Sequence, residues 1–210
     1  MSKGVLIGVR NLHYALLKTD DATGVTYDTP VSIPGVRTID VKPSSGVDTL
    51  YGDDAPFDIA SYLGDIEVTI DTAELSVEDM AALLGHTVSK GVMDFKSTDE
   101  APYVAILFES VKSNGNRRFV KLLKGKFGEP EENYQTKDSS VHWNTAKITG
   151  HFVVRTYDSA WKRVADEDGK DFEATTATSW YESVEAAASS SGSTTGSGTT
   201  TDTGSSGKGS

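Results

Sequence analysis

The sequence predicts a mainly β protein, a β-sandwich or barrel with one short flanking α-helix. Residues 36–42 and 65–72 alternate apolar and polar side chains with the period of two that is typical of half-buried strands. Gly115 lies in a polar turn between two apolar runs, 103–110 and 118–124, and this arrangement predicts a hairpin. A single stretch stands out with the period of a helix.

That helix is expected between Ser76, a good N-cap, and Gly85, a good C-cap, because apolar side chains recur between them at spacings of three and four. It is too short to form a layer, so we expect it to cover one opening of the sheet. Further strands are expected at 12–18 and 147–157, and a second helix around 179–188.

The composition indicates one globular domain followed by a tail. The chain has 210 residues, of which 37% are hydrophobic. Residues 189–210 are Ser, Thr and Gly apart from one Asp and one Lys, a composition typical of a flexible tail or linker. Residues 1–188 are therefore expected to form the domain. The absence of cysteine excludes disulfides, thiolate metal sites and cysteine nucleophiles.

The sequence offers little sign of membrane targeting, catalysis or a cofactor. No apolar run reaches the length of a membrane helix, and the N-terminus lacks a signal-peptide core, so synthesis in the cytosol is expected. The acidic turn 166–171 lacks the ligand spacing of a calcium loop. None of the four histidines has metal-ligand spacing, and we expect each to be structural: His13, His86, His142 and His151.

Charge is distributed unevenly along the chain. The net charge is −11, which disfavours general nucleic-acid binding. Residues 40–79 contain eleven acids and one base, and residues 112–126 contain six bases and no acid. These runs are either two solvated faces that neutralise each other within the chain, or complementary surfaces through which copies associate head to tail.

The segment 43–64 is expected to be a long loop between two strands. It carries Tyr51, Phe57 and Tyr62 among several aspartates. Aromatic groups in a long loop need a surface to bury them. That surface is either the chain's own domain or a partner subunit, and the residues alone favour neither.

Several short stretches occur in a recognisable order: Val9, Tyr14-Ala15, Tyr27-x-x-Pro30, Ile33-x-Gly35, Tyr51-x-Asp53-Asp54, Leu83-Leu84-Gly85, residues 101–108 and 119–127, Glu129-Pro130-Glu131-Glu132, Thr136 and Ile148-Thr149-Gly150. Together they resemble the major tail protein family of long-tailed phages of Gram-positive bacteria. The resemblance covers most of residues 5–157.

The resemblance implies a structural virion protein and not an enzyme. Members of this family form a tube like that of type VI secretion, in which six copies close a ring and the rings stack around a channel. The channel conducts DNA from the capsid to the host cell without binding it specifically. The implied partners are further copies, the tape measure protein, the tail terminator and the distal tail proteins. Residues 158–188 match less clearly, and we expect a C-terminal arm there that packs on the next subunit.

Two groups of residues follow from the combination of pattern and resemblance. The acidic side of two predicted strands should line the channel and repel DNA, with Lys42 as the one exception: Asp40, Asp65, Glu67 and Asp71. Contacts between subunits or rings are expected at Tyr51, Asp53, Asp54, Phe57, Tyr62, Arg117, Arg118, Lys121, Lys124 and Lys126.

A different class of function is also compatible with the sequence. A monomeric β-sandwich that binds a cell-wall glycan would present tryptophans as platforms for sugar rings, and Trp143, Trp161 and Trp180 are available for that role. Burial in a core is the commoner role for tryptophan. The two functions differ in the expected oligomeric state.

Overall fold

The computed structural model describes residues 4–132, 136 and 145–185. Across these residues the elements are β1 (Leu6–Asp21), β2 (Gly24–Tyr27), β3 (Val31–Ile33), β4 (Val36–Gly52), β5 (Ala55–Thr72), α1 (Val77–Leu84), β6 (Thr87–Ser89), β7 (Val92–Asp94), β8 (Val104–Lys112), β9 (Arg117–Phe127), β10 (Ala146–Phe152), β11 (Lys162–Asp166) and α2 (Ala174–Ser179). The mainly β prediction is confirmed. No helix in the described part is long and apolar enough to cross a membrane.

One large antiparallel sheet organises the chain. Its order is β2-β1-β8-β9-β10-β5-β4, while β3 pairs with β1 and β11 pairs with β9. The strand β9 bonds β8 along one edge and divides its other edge between β11, at residues 118–122, and β10, at residues 125–127. The short strands β6 and β7 form a separate hairpin. The predicted hairpin 103–124 is confirmed as β8 and β9.

The sheet curls so that β4 comes beside β1, and its concave side encloses the main core. Leu12 of β1, Ile66 and Val68 of β5 and Leu122 of β9 meet there with no exposed surface. These side chains come from strands far apart in sequence, so the main core closes only when the whole sheet has formed.

A second core lies on the convex side of β1, β8 and β9. Phe119 and Leu123 of β9 pack there against Trp180 and Val184 of the C-terminal segment, residues 158–185. As a result β8 and β9 are buried on both faces. The predicted C-terminal arm, over its described residues, packs on this chain's own sheet, because β11 pairs with β9 and the following residues fill the second core.

The helix α1 confirms the prediction from its caps. The Ser76 hydroxyl accepts a hydrogen bond from the Asp79 amide, and Gly85 ends the helix with a φ of 81°. A side chain at Gly85 would also collide with the Glu100 carbonyl, so glycine is required twice over. Leu83 and Leu84 enter the main core.

Two boundaries differ from the sequence prediction. The second helix, α2, spans Ala174–Ser179 and ends where the prediction began at 179; residues 186–188 lie outside the described part. The strand predicted at 147–157 ends at Phe152 as β10, because the chain then turns to bring Arg155 into a buried ion-pair cluster. The Arg155 guanidinium has no exposed surface, donates to Asp158 and Glu185, and so ties the C-terminal segment to the sheet.

Candidate assembly interface

The segment 43–64 is a two-stranded hairpin and not a loop, so the loop prediction is wrong. The strands β4 and β5 stay paired through it as far as Gly52–Ala55. Among the described strands only β10 also pairs with β5, and only over residues 66–72. The chain reverses at Asp53 and Asp54, whose φ angles of 50° and 61° fit a type I′ turn. We call residues 43–64 the projecting hairpin.

One face of the projecting hairpin is uncharged and largely apolar. On β4 this face continues the side that carries Ile39 and Val41 against the main core. Its members, by cross-strand pairing and alternation, are Ser45, Val47, Thr49, Tyr51, Ile59, Ser61 and Leu63. The side chain of Ile59 is 64% exposed and that of Tyr51 is 68% exposed. The side that is covered in the domain is therefore left uncovered in the projecting hairpin.

The opposite face and the tip of the projecting hairpin are acidic. Asp48 and Asp58 lie on that face together with the exposed Leu50. Asp53 and Asp54 form the tip, and the segment 43–64 contains no Lys, Arg or His. Tyr62 lies across Gly46, where a side chain would displace its ring. Phe57 lies beside the tip and is 78% exposed. The predicted contact residues of this segment are thus brought together on one exposed element, and their contacts to another copy stay a prediction.

The residues predicted to line a channel share one outward face of β4 and β5. Glu67 and Asp71 face Lys42 and Lys147 across the strand pairs, and His151 of β10 accompanies Glu67. The Lys42 ammonium lies 3.0 Å from the Glu67 carboxylate, and the His151 Nδ1 lies 2.5 Å from Asp65. Asp40 lies on the same face, opposite Thr69.

This channel face is mixed in charge and not uniformly acidic. Lys42 was expected as the one exception, but Lys147 faces Asp71 and Lys126 of β9 faces His151. Each lysine stands beside a carboxylate or an imidazole, so the face presents neighbouring opposite charges. The sequence did not place Lys147 or Lys126, which was expected at a subunit contact, on this face, because both lie on strands far along the chain, in β10 and β9.

The basic run 112–126 is largely paired inside the chain. Arg117 bonds Glu167 and Arg118 bonds Asp166 at 2.9 Å, both on or just after β11. Lys124 bonds Asp20 at 2.6 Å, and the Lys126 ammonium lies 4.7 Å from the Tyr103 ring. These partners are not the acids of residues 40–79, so the two charge runs do not neutralise each other directly. Intersubunit contacts by the basic residues stay a prediction.

Lys121 is a buried member of the basic run. Its ammonium donates to the backbone carbonyls of Ser183 and Val184 and lies 4.3 Å from the Trp180 ring. Burial, together with the nearby Arg163 guanidinium, lowers the pKa of Lys121 to about 8. A group so enclosed has no free surface for a second copy while the C-terminal segment is in place.

Two acids of the acidic turn 166–171, Asp166 and Asp168, accept hydrogen bonds from residues at the β8–β9 turn. Lys112 donates to both Asp166 and Asp168, and Asn116 donates to Asp168 at 2.5 Å. Hydrogen bonds led by that from Lys112 hold the pKa of Asp168 well below its usual range. Within the described ranges no group of three His, Asp or Glu side chains is placed to hold a metal ion.

The described histidines and tryptophans have structural surroundings. His13 lies against the Tyr181 ring, and the His86 ring lies against Phe95 with its Nδ1 2.8 Å from Asp99. Trp180 is buried in the second core, and Trp161 is partly buried against the main core, so both rings contact protein. The glycan-binding alternative stays a prediction. His142 and Trp143 lie outside the described residues.

No protein-family model matches the chain, and a search of curated proteins finds no significant match. The resemblance found in the sequence therefore stays an expectation, and the geometry of the projecting hairpin becomes the main guide to function.

Proposed function

We propose that this protein is a structural subunit that assembles with copies of itself into hexameric rings, which stack into the tube of a phage tail. In this proposal it belongs to the virion, its partners are further copies and the proteins that begin, measure and end the tail, and DNA passes through the channel on its way to the host cell.

The observation that supports the proposal most directly is the uncovered apolar face of the projecting hairpin. Exposed strands with apolar faces and free edges are an aggregation hazard, and proteins ordinarily cover or shorten them. This hairpin is long and carries Val47, Tyr51 and Ile59 on one face. A subunit that functions within an assembly covers such a face with neighbouring subunits.

The channel face is compatible with DNA passage for an electrostatic reason. A wall binds DNA when its Lys and Arg neutralise phosphates. Here Lys42 is held by Glu67, and Lys147 stands beside Asp71. A cation already paired with a carboxylate gains little by exchanging it for a phosphate, so a wall of such pairs lets the polymer slide.

The proposal is tested by matched substitutions at adjacent residues on opposite faces of the projecting hairpin. Ile59→Glu places a charge on the apolar face, and Ala60→Glu places the same charge on the acidic face. Burying Ile59 in an assembly stabilises each contact by about 2 kcal/mol, and a buried, unpaired carboxylate costs more. Ile59→Glu should therefore remain monomeric, while the wild type and Ala60→Glu form rings or tubes.

Negative-stain electron microscopy and light scattering measure the outcome, with circular dichroism to show that each variant is folded. Hollow rings with sixfold end views, lost only in Ile59→Glu, support the proposal. A wild-type chain that stays at 22.4 kDa at every attainable concentration, or an Ile59→Glu variant that assembles like the wild type, contradicts it.

A further inference from the structure

A groove of about 460 Å³ opens between the start of β4 and the strand β11. Val9 of β1, Phe108 of β8 and Val120 of β9 contribute apolar side chains to it, and residues 37–39 of β4 form one wall. Phe108 and Val120 also belong to the main core, and Val9 packs against it, so the groove is an opening at the edge of that core.

The groove is bordered by strands with an unpaired edge. In the described part of the chain β4 pairs only with β5, and β11 pairs only with β9. The second edge of each strand therefore has backbone N–H and C=O groups without a ladder partner. Such an edge accepts an extended segment from another chain, which adds backbone hydrogen bonds to side-chain contacts.

The lining of the groove is positively charged. Arg37, Arg118 and Lys162 line it, and no Asp or Glu is among its lining residues. Arg37 pairs with Asp71 and Arg118 pairs with Asp166, neither of which lines the groove. Lys162 has no carboxylate within 4 Å in the part of the chain described here. Burial lowers the pKa of Lys162, and the Arg118 charge acts in the same direction. An acidic, partly apolar strand would fit this surface.

The chain itself contains a segment of that chemistry, the tip of the projecting hairpin. Residues 50–58 carry Asp53, Asp54 and Asp58 with the exposed rings of Tyr51 and Phe57, and they include no cation. The groove and the tip are thus complementary in charge, and both have apolar surface to cover.

The tip of the projecting hairpin cannot reach the groove of the same copy. Thr38 borders the groove and Asp53 forms the tip, so the two sites are separated by fifteen residues of the continuous strand β4. At roughly 3.3 Å per residue this separation is about 50 Å. We propose that the tip of the projecting hairpin of one copy docks in the groove between β4 and β11 of a second copy.

This contact joins two different surfaces, so each new copy leaves a tip and a groove free for the next. Repetition of such a heterologous contact gives a closed ring if its rotation closes and an open filament if it does not. In the proposed tube this contact would join copies of successive rings. The inference rests on the proposed self-assembly and deepens it, because it assigns the contact that stacks one copy on the next.

The chain has no cysteine, so introduced thiols report a single contact. Pro56→Cys labels the tip and leaves its acids intact. Val164→Cys labels an exposed position in the groove, and Val92→Cys labels a similarly exposed valine on β7 outside it. The tip variant is mixed with each of the other two and treated with a short bifunctional maleimide. Cross-linking from 56 to 164 should exceed that from 56 to 92 at least tenfold.

Equal cross-linking of the two mixtures would overturn the assignment. Electron microscopy of the same samples separates this failure from failure of the proposed function. Tubes without selective cross-linking mean that stacking uses another surface. Selective cross-linking without rings or tubes means that the hairpin and the groove meet but that the protein does not form a tail tube.

A charge substitution gives an independent measurement. Lys162→Glu reverses the charge of a cation that lines the groove, and Lys96→Glu makes the same change at an exposed lysine outside it. Lys162→Glu should weaken assembly about tenfold more than Lys96→Glu, and Asp53→Lys combined with Asp54→Lys should restore it. Equal weakening of assembly by Lys162→Glu and Lys96→Glu, or failure of the two Asp→Lys substitutions to restore assembly, would count against docking at this site.

Discussion

Two hairpins of this protein have opposite relations to their surroundings. The hairpin of β8 and β9 is buried on both faces, by the main core and by the C-terminal segment. The projecting hairpin is exposed on both faces beyond the region where β10 joins β5. The first therefore holds the fold together. The second adds little to the stability of one chain and offers exposed apolar side chains that a second chain could cover.

The treatment of charge follows the same division. Glu109 and Lys121 are buried in the β8–β9 hairpin and each has partners, because an unpaired buried charge is costly. The aspartates of the projecting hairpin remain in water, where their charge costs little and repels hairpins of like sign. If the proposed assembly uses the projecting hairpin, stability and self-association depend on different hairpins and can be changed separately.

The largest expected difference comes from removing one phenylalanine ring from each hairpin. Phe119 has no exposed surface, so Phe119→Ala should lower the free energy of unfolding by about 3–5 kcal/mol. Phe57→Ala should change it by less than about 0.5 kcal/mol. Urea unfolding of dilute, unassembled protein measures both, with the fluorescence of Trp180, whose ring lies 5.7 Å from that of Phe119, as a reporter.

The comparison fails if the two variants lose similar stability. A large loss in Phe57→Ala would mean that the projecting hairpin folds back on the domain in the free chain. Light scattering at the concentration used is the necessary control, because an assembly would give Phe57 a buried environment.

A smaller, pH-dependent effect on the free energy of unfolding is expected from Lys121 in the hairpin of β8 and β9. Its pKa is about 8 when folded and about 10.4 when unfolded. Between these values the unfolded chain binds more protons, so stability should rise with pH through this window. From pH 8 to 9.5 the gain is on the order of 1 kcal/mol. Lys121→Met should show no such gain.

The window ends below pH 10 because the tyrosines act in the opposite direction. Burial is the leading cause that raises the pKa of Tyr14 and Tyr27 to about 12, so the unfolded chain loses their protons first and stability falls above pH 10. The test compares the urea midpoints of the wild type and Lys121→Met across pH 7.5–9.5. Only the wild-type midpoint should rise with pH. Parallel curves would show that Lys121 is not buried by the C-terminal segment in solution.

The smallest effect is expected at the turn of the projecting hairpin. Asp53 and Asp54 both adopt positive φ, which Asn and Gly accept more readily than Asp. Asp53→Asn combined with Asp54→Gly should slow amide exchange in the projecting hairpin roughly threefold without changing global stability. Asp48→Asn removes a charge but leaves the turn unchanged, and should have no such effect. Faster exchange in the double variant would contradict the type I′ geometry.

Local patterns predicted the parts of the fold that local interactions determine. The caps of α1 and the hairpin of β8 and β9 follow from residues within one turn or one alternation of each other. The projecting hairpin escaped prediction because Pro43, Gly46 and the paired aspartates resemble loop residues, while a ladder of cross-strand bonds carries the strands through them. A ladder of backbone hydrogen bonds depends on the partner strand, and the β-propensity of a segment's own residues carries no information about that partner.

The sequence identified candidate residues for the assembly interface but not the side chains with which they pair. The aromatic and acidic side chains of 43–64 were recognised as contact candidates from composition alone. The partners of Arg117 and Arg118 lie about fifty residues later in the chain, at Glu167 and Asp166. The groove is formed by strands from four regions of the sequence, and no linear pattern brings those regions together.

The attachment of the C-terminal segment has a consequence for what can be added to this protein. Val184 is fixed in the second core on β8 and β9. Residues that follow it therefore start from a fixed point on the sheet. In the proposed tube, a peptide fused beyond this anchor would be repeated once per subunit at a defined position on each copy.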